Sequence, residues 1–189
     1  FGFHNEKIHV VFTDNGKFEC DKVVITAGIW SKNLMQKLGL KIPLEAERGY
    51  HVVYKNASIL PRNPMMMTVG KFGVTPMKGD LRCAGTVELG GIKIDPSQGP
   101  IKLLRRRVAE AFPKMTYDKT EEWLGFRPTA PDSLPLIGQL KESGVYTAFG
   151  HQHIGMTSGP KTGRLISDII NYRSPNINMS FYDPNRFNS

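Results

Sequence analysis

A single arginine lies in a stretch of the chain that is rich in proline and glycine. Residues 125–138 read GFRPTAPDSLPLIG, and Arg127 is the only basic residue among them. Proline stiffens the backbone, and a guanidinium held by a stiff backbone is suited to a bidentate grip on a carboxylate. The residues alone leave open that Arg127 pairs with a structural acid or a backbone carbonyl, which is the commoner use of a lone arginine.

A second segment joins an apolar strand to a helix through several glycines. Residues 149–163 read FGHQHIGMTSGPKTG, and Pro160 fits the first helical position, so the sequence predicts a helix from about Pro160 to Tyr172. Free N–H groups and the positive dipole end make a helix start favourable for an anion. The segment lacks the GxxxxGK[ST] phosphate loop, and no metal site is predicted for His151 and His153.

The third segment contains a glycine that follows an apolar strand predicted over residues 23–26. Ala27, Gly28 and Trp30 come directly after it, and Ser31 is predicted to cap a helix over residues 32–38. Glycine at the carboxyl end of a buried strand lets a ligand approach the backbone closely. A plain strand-to-helix turn is the commoner explanation of such residues taken alone, and both interpretations stay open here.

The elements that position these residues are of two kinds. The apolar strands at residues 23–26 and 145–149 are typical of a covered, often parallel, sheet. Residues 42–90 instead contain short strands separated by Gly, Pro and Asp, which indicates an antiparallel sheet, and an amphipathic helix follows over residues 97–112. The sequence therefore predicts an α+β (mixed α/β) fold with two architectures.

Composition excludes several classes of function. Lys plus Arg is 25 and Asp plus Glu is 17, but the one dense basic run, residues 105–107, lies on a helix whose other face is apolar. Basic residues interleaved with stacking aromatics are not found, so no nucleic-acid partner is predicted. The two cysteines have no metal-binding spacing, and they indicate a reducing compartment. We expect a cytoplasmic location, with peripheral attachment to the inner membrane as the alternative that the net charge of +8 allows.

Five blocks, taken in order, resemble the DAO-type FAD-dependent oxidoreductases. They are VVITAGIWS, ERGYHVVY, GTVELGG, GFRPTAPDSLPLIG and GHQHIGMTSGPKTGRLISDII. That family holds D-amino-acid dehydrogenases and oxidases, glycine oxidase and sarcosine oxidase. Within it the sequence is most similar to the C-terminal portion of the small subunit of bacterial D-amino-acid dehydrogenase.

The resemblance implies a division of the chain into segments. Residues 1–42 would be part of a Rossmann-like FAD-binding domain, and residues 43–122 an antiparallel-sheet substrate-binding domain with covering helices. Residues 123–174 would return to the FAD-binding domain with the flavin-ring loop and the C-terminal helix. Residues 175–189 would be a tail.

The resemblance also implies roles for individual residues. Arg127 would be the catalytic residue that holds the substrate α-carboxylate, and Tyr50 and His51 would face the substrate from the sheet. No metal is implied. The residues implied to bind the cofactor are Ala27, Gly28, Trp30, Gly150, His151, Ile154, Gly155, Met156 and Thr157.

The activity implied is oxidative deamination of D-amino acids to keto acids and ammonia, by hydride transfer to the flavin and onward transfer to an acceptor such as a quinone. The family's GxGxxG fingerprint is missing from this sequence. We therefore expect an N-terminal FAD-binding segment before residue 1, and weak or absent FAD binding by this fragment alone. The alternatives are a glycine- or sarcosine-type amine oxidase, and a non-catalytic interaction domain that has lost the cofactor.

Overall fold

The elements of the chain confirm the α+β class. A computed structural model describes residues 1–92 and 95–187. Three short 3-10 helices lie at Gly28–Trp30, Ser180–Tyr182 and Pro184–Phe187. The strands and α-helices are β1 (Gly2–His4), β2 (Lys7–Thr13), β3 (Gly16–Glu19), β4 (Val23–Ile25), α1 (Ser31–Lys37), β5 (Glu45–Tyr54), β6 (Met65–Met67), β7 (Phe72–Pro76), β8 (Leu81–Leu89), α2 (Gln98–Ala111), β9 (Thr120–Thr129), β10 (Leu136–Gln139), β11 (Val145–Phe149) and α3 (Gly155–Ile170).

The chain divides into two compact units. The first unit contains Phe1–Glu45 and the segment from Arg127 onward, and the second contains Ala46–Phe126. None of the helices in the described residues combines the length and the apolar character that crossing a membrane requires. The assignment of an FAD-binding or a substrate-binding role to each segment stays a prediction.

Two small sheets and α3 build the first unit. In one sheet β11 lies between β10, its antiparallel neighbour, and β4, with which it pairs in parallel from Val145↔Val23 to Thr147↔Ile25. The other sheet is the predicted hairpin of β2 and β3 with β1 added at its edge. Leu165 and Ile166 of α3 pack on Ile137 of β10, so the helix covers the mixed sheet.

The helix α3 begins earlier than the sequence predicted. It runs from Gly155, not from Pro160, so Pro160 is inside the helix and not at its first position. A proline cannot donate to the carbonyl four residues before it, which here belongs to Met156. Met156 is 95% exposed, so water can hydrate the unpaired carbonyl. Residues 155–157 therefore form the first turn of a helix instead of a loop.

The predicted cap of α1 is also wrong. Ser31 is the first residue of the helix, Trp30 occupies the cap position, and no side chain caps the helix start. The Ser31 hydroxyl is buried without a hydrogen-bond partner. The short 3-10 helix Gly28–Trp30 displaces the cap because it continues directly into α1.

A five-stranded sheet covered by α2 makes up the second unit. Its strand order is β6-β7-β8-β5-β9, and the pairs β6–β7, β7–β8 and β5–β8 are antiparallel. The helix matches the predicted amphipathic segment, with Ile101, Leu104 and Val108 buried against the sheet. From β5, the alternate residues Tyr50, Val52 and Tyr54 enter this core.

A polar cluster closes one end of the second unit's core. The buried Arg48 side chain directs Nε at the Tyr50 hydroxyl and at Glu88 Oε2, each at 3.1 Å. Tyr50 donates to the same carboxylate oxygen at 2.5 Å, and Ser97 Oγ donates to it at 3.0 Å. Hydrogen bonds from Tyr50 and Ser97, with the Arg48 charge, hold the pKa of Glu88 below its ordinary value.

This cluster predicts an acid-dependent part of stability. Because its folded pKa lies below its unfolded value, Glu88 stabilises the fold above the unfolded pKa, and this contribution disappears as pH falls through the folded pKa. We expect Glu88→Gln to be less stable than the unmodified chain in urea unfolding at pH 7, with the difference shrinking below about pH 4.5.

The matched control is Glu110→Gln, which removes a carboxylate from an exposed ion pair with Arg106 at 3.7 Å. Such pairs contribute little, so this variant should unfold within about 0.5 kcal/mol of the unmodified chain at each pH. A Glu88→Gln difference that stays constant from pH 7 to pH 3 would contradict the assignment.

Candidate functional site

Backbone pairing fixes the Arg127 segment beside the glycine-rich turn after β11. Thr129 forms an isolated antiparallel bridge with His151, and the Gln152 N–H donates to the Pro128 carbonyl at 3.1 Å. Gly150 makes the turn possible because its φ of +89° lies in the region that favours glycine. The two motifs singled out in the sequence are therefore neighbours within the first unit.

The Arg127 side chain is half-buried and has no partner among the described residues. Within residues 1–92 and 95–187 its guanidinium makes no ion pair or hydrogen bond. The two nearest acids in sequence are held elsewhere, Glu122 by Arg105 at 2.8 Å and Asp132 by Arg186 Nε at 2.7 Å. A structural ion pair thus does not account for Arg127 in the described chain. A half-buried cation without a protein anion is available to an anionic ligand.

A cavity of about 330 Å³ lies along α3 in the same unit. Glycines 155, 159 and 163 are four residues apart and share one face of the helix, so backbone and not side chains forms that wall. A Cβ added at Gly159 or Gly163 would meet no atom within 4 Å and would project into open space. The lining residues are Val24, Thr26, Ala148, His151, Gly155, Gly159, Thr162, Gly163 and Ile166.

His151 joins the strand end to the helix at this cavity. Its Nε2 lies 2.9 Å from Thr162 Oγ1, and burial lowers its pKa below the ordinary value. The imidazole is therefore neutral near pH 7 and adds no positive charge to the cavity. The favourable potential for an anion comes from the first-turn N–H groups of α3, at Gly155, Met156 and Thr157.

The predicted cofactor residues are distributed unevenly around this cavity. His151 and Gly155 line it, whereas Ile154 and Met156 extend into solvent at 52% and 95% exposure. Ala27 lines a neighbouring cavity of about 360 Å³ that shares Val24 and Thr26 of the β4 segment with the first. Gly28 has a φ of +56° in the 3-10 helix that follows.

Several lining residues were missed by sequence reasoning. Gly159 and Gly163 could have been found, because their four-residue spacing from Gly155 is visible in the sequence. Ala148 and Thr162 become part of the cavity only through the packing of β11 against α3. No local pattern marks them.

The side chains of Tyr50 and His51 point to opposite faces of the second unit's sheet. Tyr50 is 1% exposed in the core, with its hydroxyl on Glu88, so it does not face an open surface as predicted. Adjacent residues of a strand point to opposite faces, and the two could not both face one ligand. His51 is half-buried on the other face, where its ring stacks on Trp123 with centroids 4.8 Å apart. Of the pair, His51 alone remains available.

Comparison with protein families matches residues 2–169 to DAO, described as FAD dependent oxidoreductase. The chain belongs to this family. It is 37% identical over 186 residues to a D-amino-acid oxidase of Bradyrhizobium diazoefficiens, covering 96% of this chain and 44% of that protein. It is 30% identical to a glycine oxidase of Pseudomonas aeruginosa, covering 95% and 50% of the two chains. It is 29% identical to a D-amino acid dehydrogenase of Rhizobium johnstonii, covering 90% and 42%.

Solved structures share the fold. Glycine oxidase from Geobacillus kaustophilus superposes with a TM-score of 0.82 at 24% identity, over 94% of this chain and 48% of the other. L-proline dehydrogenase from P. horikoshii gives a TM-score of 0.84 at 24% identity, over 100% and 52%. The chain thus spans about half the length of the relatives that it matches.

The first unit's cavity fits part of an FAD molecule. Its glycine wall leaves room that a row of Cβ atoms would fill, and the helix start supplies N–H donors for an electron-rich ring edge. Ala148 and Val24 add small apolar surface for the ring plane. Among the described residues, three or more potential metal ligands do not cluster anywhere.

The contact between His151 and Thr162 can be tested without any ligand. We expect Thr162→Val, which keeps the shape and removes the hydroxyl, to lower the free energy of unfolding by about 1 kcal/mol, because the buried imidazole nitrogen loses its partner. Urea unfolding measures this. The control Thr157→Val alters an exposed residue of the same helix and should change stability by less than about 0.5 kcal/mol. Equal effects of the two variants would show that the contact contributes nothing.

Proposed function

We propose that this chain is the C-terminal portion of an FAD-dependent D-amino-acid dehydrogenase, which oxidatively deaminates D-amino acids to keto acids and ammonia. One observation carries the proposal. A half-buried guanidinium that has no partner in the described chain is attached by backbone pairing to a glycine-lined helix start. The family match and the relatives named above support the same class of reaction.

Arg127 binds and orients the substrate in this proposal. Its planar guanidinium forms two parallel hydrogen bonds with the α-carboxylate, which fixes the direction of the α-carbon. No acid of the described chain competes for it, since Asp132 is paired with Arg186. The stiff Pro128 backbone and its hydrogen bond from Gln152 limit the freedom that binding would otherwise remove.

The start of α3 and the residues around it hold the cofactor in this proposal. FAD, when bound, accepts the hydride that leaves the substrate α-carbon. Main-chain N–H groups at Gly155, Met156 and Thr157 stabilise negative charge at the ring edge. His151 stays neutral and keeps the helix start next to Gly150 through Thr162. Ala27, Gly28 and Trp30 lie along the dinucleotide where the strand β4 ends.

The open edge of β4 supports the proposal of an N-terminal partner segment. In the described chain β4 pairs with β11 on one side only. Val11, Phe12 and Leu34 line a cavity together with the β4 residues and Ala27, which gives this part of the unit an apolar surface. We propose that a strand of an N-terminal FAD-binding segment pairs here, that this chain alone binds FAD weakly, and that electrons pass on to an acceptor such as a quinone.

The first test removes the Arg127 guanidinium by substitution in the full-length protein. We expect Arg127→Ala to raise the KM for D-alanine by about 30-fold or more, since loss of one charged carboxylate contact costs roughly 2–5 kcal/mol. FAD content, read from the flavin absorbance, should stay unchanged. Arg106→Ala is the control, because Arg106 is 70% exposed on α2. An unchanged KM would remove Arg127 from the substrate site.

A substrate panel separates the proposal from its rivals. We expect anaerobic bleaching of the flavin by D-alanine to be at least tenfold faster than bleaching by sarcosine or glycine, because the proposed substrate is a primary amine with a side chain. The glycine oxidase of P. aeruginosa, at 30% identity, is the reason to include glycine. Faster bleaching by sarcosine or glycine would favour an amine oxidase. A purified protein without flavin, which cannot be reconstituted with FAD, would favour the non-catalytic interaction domain.

A further inference from the structure

Three side chains form a cluster on the sheet face opposite α2. His51 lies on β5, Arg82 on β8 and Trp123 on β9. Their strand neighbours Val52, Cys83 and Leu124 pack into the core with the helix, so the cluster residues point the other way. The register pairs His51 with Ala84 and Arg82 with Val53, which makes His51 and Arg82 diagonal neighbours on that face.

The hydrogen bond between Arg82 and His51 fixes the state of both side chains. Arg82 Nε donates to His51 Nδ1 at 3.2 Å. A guanidinium only donates, so Nδ1 keeps its lone pair and the proton of the neutral ring is on Nε2. Burial first, and then the Arg82 charge, lower the pKa of His51 to about 4. The imidazole is therefore an uncharged support for the arginine at pH 7.

Trp123 fixes the imidazole from the adjacent strand. The two rings are parallel within 9°, with centroids 4.8 Å apart. The indole passes so close to Gly125 that a Cβ on that glycine would lie 1.9 Å from Trp123 Cη2. Glycine at position 125 thus gives the indole its place, and the stack restricts how His51 and Arg82 can move.

The Arg82 guanidinium has four N–H donors that do not bond to His51. Arg82 uses one of its five donors on His51 and makes no ion pair within the described residues. Three acids of the second unit are paired with other cations: Asp80 with Lys55 at 2.6 Å, Glu121 with Lys55 at 3.7 Å and Lys119 at 3.4 Å, and Glu122 with Arg105 at 2.8 Å. Arg82 is a half-buried, immobilised cation that lacks a counter-ion in the described part of the chain.

We propose that Arg82 binds a small-molecule carboxylate on this face of the sheet, with His51 and Trp123 as positioning residues. A guanidinium binds carboxylate oxygens through two parallel N–H groups, and less freedom is lost on binding when it is already immobilised. Exposed apolar side chains on the same unit, Trp123 at 53% and Val87 at 55%, are available to a short aliphatic body. All of these residues belong to the second unit, so the proposal can be tested without flavin and without Arg127.

The test is an NMR titration of this chain with glutarate. The chain has two tryptophans, so the indole N–H signal of Trp123 is assigned by Trp123→Phe and reports on the cluster directly. We expect saturable shifts of the Trp123 and His51 signals, and a Kd at least tenfold higher in Arg82→Gln. The control Arg62→Gln removes an exposed arginine from a loop of the same unit and should leave the Kd within twofold. Propionate and D-glutamate, titrated in parallel, tell a general carboxylate site from one that selects an amino acid.

Two further variants separate binding from support. Arg82→Lys keeps the positive charge but loses the two parallel N–H donors of the guanidinium. Its Kd should lie between those of the unmodified chain and Arg82→Gln. His51→Phe retains stacking on Trp123 but removes the acceptor, so the ligand-free indole signal should stay while the Kd rises. Absence of saturable shifts with all three carboxylates would overturn the proposal. So would equal Kd values for Arg82→Gln and Arg62→Gln when both variants show the dispersed spectrum of the folded chain.

Discussion

The geometry of the first unit depends on a short backbone contact between two segments. Where Pro128 and Thr129 run beside His151 and Gln152, one bridge and one hydrogen bond connect the arginine strand to the turn before α3. The turn itself requires a left-handed Gly150, where a Cβ would come within 3.3 Å of Leu136 Cδ1. Substrate orientation and charge stabilisation, as proposed, would both follow from this contact, since it sets the distance between a cation and a helix start.

The geometry of the second unit depends on the alternation of side chains along its strands. Each strand contributes one row of side chains to the core with α2 and one row to the opposite face, so a step of one residue changes the role of a side chain completely. Tyr50 closes the core through Glu88, and its neighbour His51 supports Arg82 on the other face. Among the described residues of this unit, the Thr86 hydroxyl is the buried side-chain polar atom that has no hydrogen-bond partner.

Local patterns were enough to predict the elements with strong periodicity. The hairpin around Gly16, the apolar strand β4 and the amphipathic helix α2 lie where turn residues, apolar runs and helical spacing put them. Arg127 and the loop after Gly150 were found because even a single proline or glycine indicates a particular backbone conformation. Predictions failed where the surroundings of a residue outweigh its local preference, as at Pro160, where an exposed carbonyl tolerates a proline inside the helix. The direction of Tyr50 failed for the same reason, because aromatic residues suit either face of a strand.

The way the chain enters and leaves the second unit has a consequence for folding. Entry is on β5 and exit is on β9, and these two strands are neighbours in the sheet. The parallel pair of β4 and β11 closes only after the whole intervening segment, so its formation bears the loop-closure entropy of that segment. A unit with adjacent ends can fold first and shorten the loop that remains to be closed. Early folding of the second unit would then lower the entropic cost of forming the β4–β11 pair in the first unit.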